Sequence, residues 1–136
     1  MRPMLSADVR RGLVEQALQA RRNAYAPYSK YRVGAALLCA DGQVFRGANV
    51  ENAAYPTVMC AERVAVFNAV SSGVKAFSAI AVASSNGGSP CGSCRQVLAE
   101  FGLETLVLVA DQDGNVLSEA TVGELLPGAF LPQDLE

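Results

Sequence analysis

Three cysteines and one glutamate carry the chemistry of this chain. They stand in Cys60-Ala61-Glu62-Arg63 and in Pro90-Cys91-Gly92-Ser93-Cys94. Three thiolates suit a zinc ion that keeps its fourth position open. Glu62 follows the first cysteine by two residues, near enough to handle protons without ligating. An open zinc beside a carboxylate is the outline of a hydrolytic centre. The chain has no histidine, so the usual general base and the usual imidazole ligand are both missing. Acid–base work near neutral pH then falls to a carboxylate, a thiol or a metal-bound water.

The elements that must position these residues follow from periodicity and punctuation. A helix is expected from Ser6 to about Arg22, with Leu5, Val9, Leu13, Ala17 and Ala20 as its apolar stripe. Asn23 to Tyr31 reads as a loop, and Val33 to Cys39 as an apolar strand. Asp41-Gly42 predicts a two-residue hairpin turn, returning through Val44 to Asn49. A second helix runs from near Cys60 to Ser72, stopped by Gly73. Phe77 to Ala83 reads as a strand buried on both faces, Gly92 to Phe101 as a short helix, and Thr105 to Ala110 as another buried strand. A short strand near Val116 and a helical turn over Glu124 to Leu126 complete the order. Strand–helix–strand units with one hairpin predict an α/β fold with a mixed sheet and helices on both faces.

In this assignment all three cysteines fall at helix N-termini, where unpaired N–H groups and a positive partial charge favour the thiolate. Cys91 and Cys94 have the two-residue separation of a paired zinc grip. Three thiolates overcompensate a divalent ion, and Arg63 and Arg95 are placed to draw charge from the sulfurs. Their alternative is two solvent-facing helix arginines. Two other readings of the cysteines stay open: a closed structural site with Cys39 as fourth ligand, or a disulfide. Against the first, Cys39 ends an apolar strand and reads as a small buried hydrophobe. Against the second stands the expected reducing compartment.

The 136 residues fit a single domain spanning 1–136, large enough to bury a core without cross-links. Composition is 51% apolar and only 18% charged, which leaves apolar surface for other subunits to cover. Net charge is −2 with no Lys/Arg run, and nucleic acid would want a basic footprint. No segment reaches the length of a membrane span, and Met1 to Asp8 lacks the apolar stretch of a signal peptide. The cytoplasm is the expected compartment.

At this point the chain resembles a known family. Cys60-Ala61-Glu62 and Pro90-Cys91-Gly92-Ser93-Cys94 match the all-cysteine form of the deaminase zinc motif. Asn49-Val50-Glu51-Asn52-Ala53-Ala54-Tyr55 is similar to the nucleoside-binding stretch of the small homotetrameric cytidine deaminases. Tyr25 to Lys30 and Val33 to Ala36 resemble that family's N-terminal signature, and Glu124 to Phe130 its C-terminal one. The resemblance covers nearly the whole chain. It implies a three-layer α/β/α sandwich around a mixed five-stranded sheet. It implies hydrolytic deamination of cytidine and deoxycytidine to uridine and deoxyuridine, within pyrimidine salvage, with one Zn²⁺ per chain.

The resemblance also implies roles. Cys60, Cys91 and Cys94 hold the metal. Glu62 takes a proton from the activated water, passes one to N3 of the base and gives one to the departing amine. Asn49 and Glu51 hold the ribose 3′-hydroxyl, and the Ala61 N–H meets the base carbonyl. Tyr31 stands where the family carries Phe against the base, and its added hydroxyl needs a partner. Tyr55 and Phe130 reach a neighbouring subunit's site, so each site is built from several subunits. Pro56-Thr57-Val58 departs from the family's pattern and implies a changed loop shape. Rival readings are a deaminase of blasticidin-type antibiotic nucleosides, which is expected to lack the Asn49 to Asn52 stretch, and a non-catalytic zinc scaffold with four protein ligands.

Overall fold

Strand register brings distant loops to one end of a single sheet. The structure, a computed structural model, describes residues 5–135. The N-terminal reading over Met1 to Met4, like the final Glu136, lies outside the described residues. The sheet has five strands in the order β2-β1-β3-β4-β5. β1 (Val33–Cys39) and β2 (Val44–Ala48) form the antiparallel hairpin, and β1 also pairs antiparallel with β3 (Phe77–Ser84). β3 runs parallel to β4 (Leu106–Ala110), and β5 (Val116–Thr121) closes the sheet antiparallel. The mixed sheet matches the expectation. Pairs Val33↔Ser84 and Gly34↔Ala48 set the start of β1, the end of β2 and the end of β3 side by side.

Helix α1 (Ala7–Arg21) packs on one face, where Leu13, Val14 and Ala17 meet the small side chains of Ala36, Ala79, Ala81 and Ala83. Helices α2 (Ala61–Ser71), α3 (Gly92–Glu100) and α4 (Val122–Leu125) cover the other face. There Ala61, Ala65, Val66 and Leu98 pack on Leu37, Ile80, Val82 and Val107. Two short 3₁₀ turns, Tyr55–Thr57 and Pro132–Leu135, were not anticipated. The first carries Pro56 at its start, where proline's fixed φ suits a helical turn.

Helix and sheet approach so closely that two strand positions require glycine. A Cβ on Gly34 would lie 2.1 Å from the Ala17 carbonyl oxygen of α1. A Cβ on Gly47 would lie 2.5 Å from both the Ala61 oxygen and the Ala65 nitrogen of α2. Gly47 thereby sets how near the start of α2 comes to the sheet.

Three sequence expectations are corrected here. Val9 is 42% exposed, and Val14 takes the place on the apolar stripe expected of it. The hairpin loop spans three residues, 40–42. Cys39 N–H donates to Gln43 O at 2.9 Å, Gly42 N–H donates to Cys39 O at 3.0 Å, and Gly42 has φ +92°. That is a turn closed by a left-handed glycine, the usual form of a three-residue hairpin. The strand near Val116 is six residues long. Its first three residues are exposed, so it lacks the buried signature that marks β3 and β4.

Candidate active site

Two helices deliver the three cysteines to one point. Cys60 is the N-cap of α2, Cys91 is the N-cap of α3, and Cys94 lies in the first turn of α3. Their sulfurs all lie within 4.8 Å of one another. Cys60 Sγ is 3.9 Å from Cys91 Sγ, and Cys91 Sγ is 3.5 Å from Cys94 Sγ. Sulfurs held tetrahedrally at about 2.3 Å from zinc stand about 3.8 Å apart, so the set fits the ion. Cys39 is buried in the core at the end of β1 and is outside this cluster.

The electrostatics favour a thiolate here. A hydrogen bond from Cys94 and the guanidinium of Arg63 bring the Cys60 thiol down to about 5, against its burial. The partner thiol of Cys94 is pushed up, first by that same hydrogen bond and then by burial. Arg63 Nη2 donates to Cys60 Sγ at 3.2 Å. Its Nε is buried with no hydrogen-bond partner among the described residues, so the bond to Cys60 is what ties the guanidinium to this cluster.

Glu62 is only 5% exposed. Burial raises its carboxyl above the usual range, and the charge at Cys60 adds to the rise. A carboxyl whose protonated form is favoured in this way is suited to giving a proton as well as taking one.

A cavity of about 230 Å³ opens onto Glu62, Cys60, Cys91 and Ala61. Asn49, Glu51 and Tyr31 line it as well, so seven of the residues singled out in the sequence meet there. Their loops are stitched together by backbone bonds. Tyr25 N–H donates to Asn49 O at 2.9 Å, Glu51 N–H to Tyr25 O at 2.8 Å, and Val50 exchanges both bonds with Met59. Asn49 Oδ1 accepts from Val33 N–H at 2.9 Å, and its Nδ2 donates to the Tyr31 carbonyl at 2.8 Å. Glu51 accepts from Tyr28 N–H at 2.9 Å, from Ser29 N–H at 3.1 Å and from the Ser29 hydroxyl. The Ser29 bonds chiefly hold its carboxyl below the usual range.

Arg95 departs from its expected role. Its Nε donates to Pro90 O at 2.8 Å, Nη1 to Leu125 O at 2.7 Å, and Nη2 to Ser89 Oγ at 2.8 Å. All three nitrogens serve oxygen acceptors, so it braces the Ser89-Pro90 segment against α4 and directs these hydrogen bonds to oxygen, not to sulfur. Tyr55 and Phe130 stay outside the cavity lining and are 82% and 55% exposed. Met59, Val82, Gly88 and Ser89 line the cavity without having been singled out, and Val58, noted only for its loop, lines it too. Their apolar or small side chains carry no chemical signature, and only the nearness of Gly88 and Ser89 to Pro90 hinted at a place in the wall.

Comparison with known proteins agrees with this geometry. The model of the cytidine and deoxycytidylate deaminase zinc-binding region matches residues 8–110. The cytidine deaminase of Halalkalibacterium halodurans is 50% identical over 129 residues, covering 93% of this chain and 97% of that protein. The cytidine deaminase of Sporosarcina psychrophila is 49% identical over 125 residues, covering 90% and 92%. A crystal structure of cytidine deaminase from Burkholderia pseudomallei superposes with a TM-score of 0.84 at 45% identity, over 93% of this chain and all of that one. The motif match, the sheet topology and these relatives lead to one conclusion: the chain belongs to the zinc-binding cytidine deaminase family.

Proposed function

We propose that this protein hydrolyses cytidine and deoxycytidine to uridine and deoxyuridine, releasing ammonia. The observation that carries the reading is the buried Glu62 set among three cysteine sulfurs at the end of the cavity that Asn49 and Glu51 line. Cys60, Cys91 and Cys94 would hold one Zn²⁺, which when bound lowers the pKa of water and so supplies the nucleophile at neutral pH. Glu62 does the proton work. It takes a proton from the attacking water and delivers it to N3, which makes C4 electrophilic. It then takes the proton of the new C4 hydroxyl and gives it to the 4-amino group as that leaves as ammonia. Its raised pKa and its burial suit it to both transfers. The Ala61 N–H opens α2 and so has no acceptor within the helix. That leaves it for the base carbonyl.

Asn49 and Glu51 take the ribose 3′-hydroxyl. Each already has backbone partners that fix its orientation, and each retains acceptor capacity for the sugar. The Glu51 carboxylate repels a phosphate at that position, which favours a free nucleoside over a nucleotide or a nucleic-acid strand. The Asn49 to Asn52 stretch, two of whose residues line the cavity, separates this reading from a blasticidin-type deaminase. Among the described residues the sulfur cluster has three cysteines, which favours an open metal over a closed scaffold.

The protein is read as a homotetramer with shared sites, acting in pyrimidine salvage in the cytoplasm. The exposed rings of Tyr55 and Phe130 are the groups that would complete a neighbour's site. Among the described residues no helix is long and apolar enough to cross a membrane.

The test is product identification with zinc-loaded protein. Uridine and ammonia should form one to one from cytidine. A chelator should stop the reaction, and added zinc should restore it. Turnover of blasticidin S in preference to cytidine would refute the assignment.

A further inference from the structure

We infer that the Tyr31 hydroxyl is a positioning group that latches the segment leading to Cys91, and that it is the reason position 88 is glycine. Tyr31 Oη lies 3.0 Å from Ser84 Oγ and 2.7 Å from Asn86 Oδ1. Ser84 closes β3, is 1% exposed, and accepts the N–H groups of Gly87 and Gly88 at 3.0 Å each. One hydroxyl thus bridges the residues before β1 to the turn after β3. Tyr31, Gly88, Ser89 and Cys91 all line the cavity, so the latch joins two of its walls.

The fit at Gly88 is specific to this hydroxyl. A Cβ there would stand 2.4 Å from Tyr31 Oη, while its next neighbours, Tyr31 Cζ and Asn86 Oδ1, lie at 3.6 and 3.7 Å. Gly88 does not have the left-handed φ that would itself demand glycine. Remove the hydroxyl oxygen and an alanine meets only ordinary contacts. Position 88 and position 31 are therefore coupled through one atom.

The coupling predicts a reversal of sign. In the parent chain Gly88→Ala should lower the thermal midpoint and raise KM for cytidine, because either the side chain or the latch must give way. Tyr31→Phe alone should speed hydrogen exchange at Gly87 and Gly88 and raise KM more than it lowers kcat. The expected rise is about 3- to 10-fold, the worth of one or so hydrogen bonds. Added to Tyr31→Phe, Gly88→Ala should cost nothing further, so the double variant outperforms Gly88→Ala alone.

The KM readout rests on the nucleoside reading of the cavity; the melting and exchange readouts do not. A thermal cycle that fails while cytidine is still turned over would sink the latch alone. Additive losses in the four-variant cycle would overturn it. So would unchanged exchange at Gly87 and Gly88 in Tyr31→Phe, or a double variant that still fails to fold.

Discussion

Cys60 and Cys91 occupy helix N-caps, where a serine or threonine hydroxyl would bind the orphan N–H groups. Neither makes a side-chain capping bond, whereas Ser6 caps α1 and Thr121 forms a full capping box on α4. A missing cap costs about 1 kcal/mol. The two helices that start uncapped are the two that present sulfur, so local stability gives way to the metal. Arg63 places its guanidinium on one of those sulfurs, donating to Cys60. We predict that Arg63→Gln weakens zinc binding by about 10- to 100-fold, the usual effect of losing a partner behind a ligand. Competition with a metal chelator measures it, and unchanged affinity together with unchanged turnover would remove Arg63 from the centre. At this scale the sequence displayed the cysteines and Glu62 because their spacing is itself the signal. It hid the partners of Tyr31, since Ser84 and Asn86 stand more than fifty residues away along the chain. It also misled on Arg95, because nearness to Cys94 in sequence says nothing about three oxygen acceptors on other segments.

At the level of elements, the site depends on how tightly α2 lies on β2. Gly47 admits the backbone of Ala61 and Ala65 to within 2.5 Å of where its Cβ would be. Gly47→Ala must push back the helix that carries Glu62. The expected loss is about 1–3 kcal/mol, as for overpacking elsewhere, with weaker zinc retention. A Cβ on Gly12 in α1 would meet nothing within 4 Å among the described residues outside its own helix backbone, so Gly12→Ala should stabilise by about 0.5–1 kcal/mol. Denaturant unfolding of both variants checks the opposite signs. Same-sign effects would show that glycine content, and not helix approach, governs the fold. Elements with a clear period or an apolar run were legible in the sequence, and β1 spans the limits expected of it. β5 was reduced to a short strand because Val116, Leu117 and Ser118 are all exposed at the sheet edge and show no buried alternation. The hairpin turn was legible as a turn but not in its length, because Asp-Gly also suits a three-residue loop closed by the glycine.

For the whole molecule, the exposed aromatic rings outside the cavity are the feature a single chain does not use. Tyr55 and Phe130 flank separate segments, and Gln96 fixes the latter by donating to the Phe130 carbonyl at 2.6 Å. If neighbours complete each site, specific activity should fall on dilution in step with dissociation of the proposed tetramer, followed by sedimentation. Full activity in a proven monomer would confine the site to one chain. Subunit number was not legible from composition, which shows excess apolar content but no symmetry. The deamination chemistry itself is most directly tested by following cytidine absorbance with zinc-loaded wild type and Glu62→Gln, each verified to hold one zinc per chain. Wild type should convert cytidine to uridine, and the variant should be slower by about 10²- to 10⁴-fold. Equal rates in the two proteins, or no conversion by zinc-replete wild type, would contradict it.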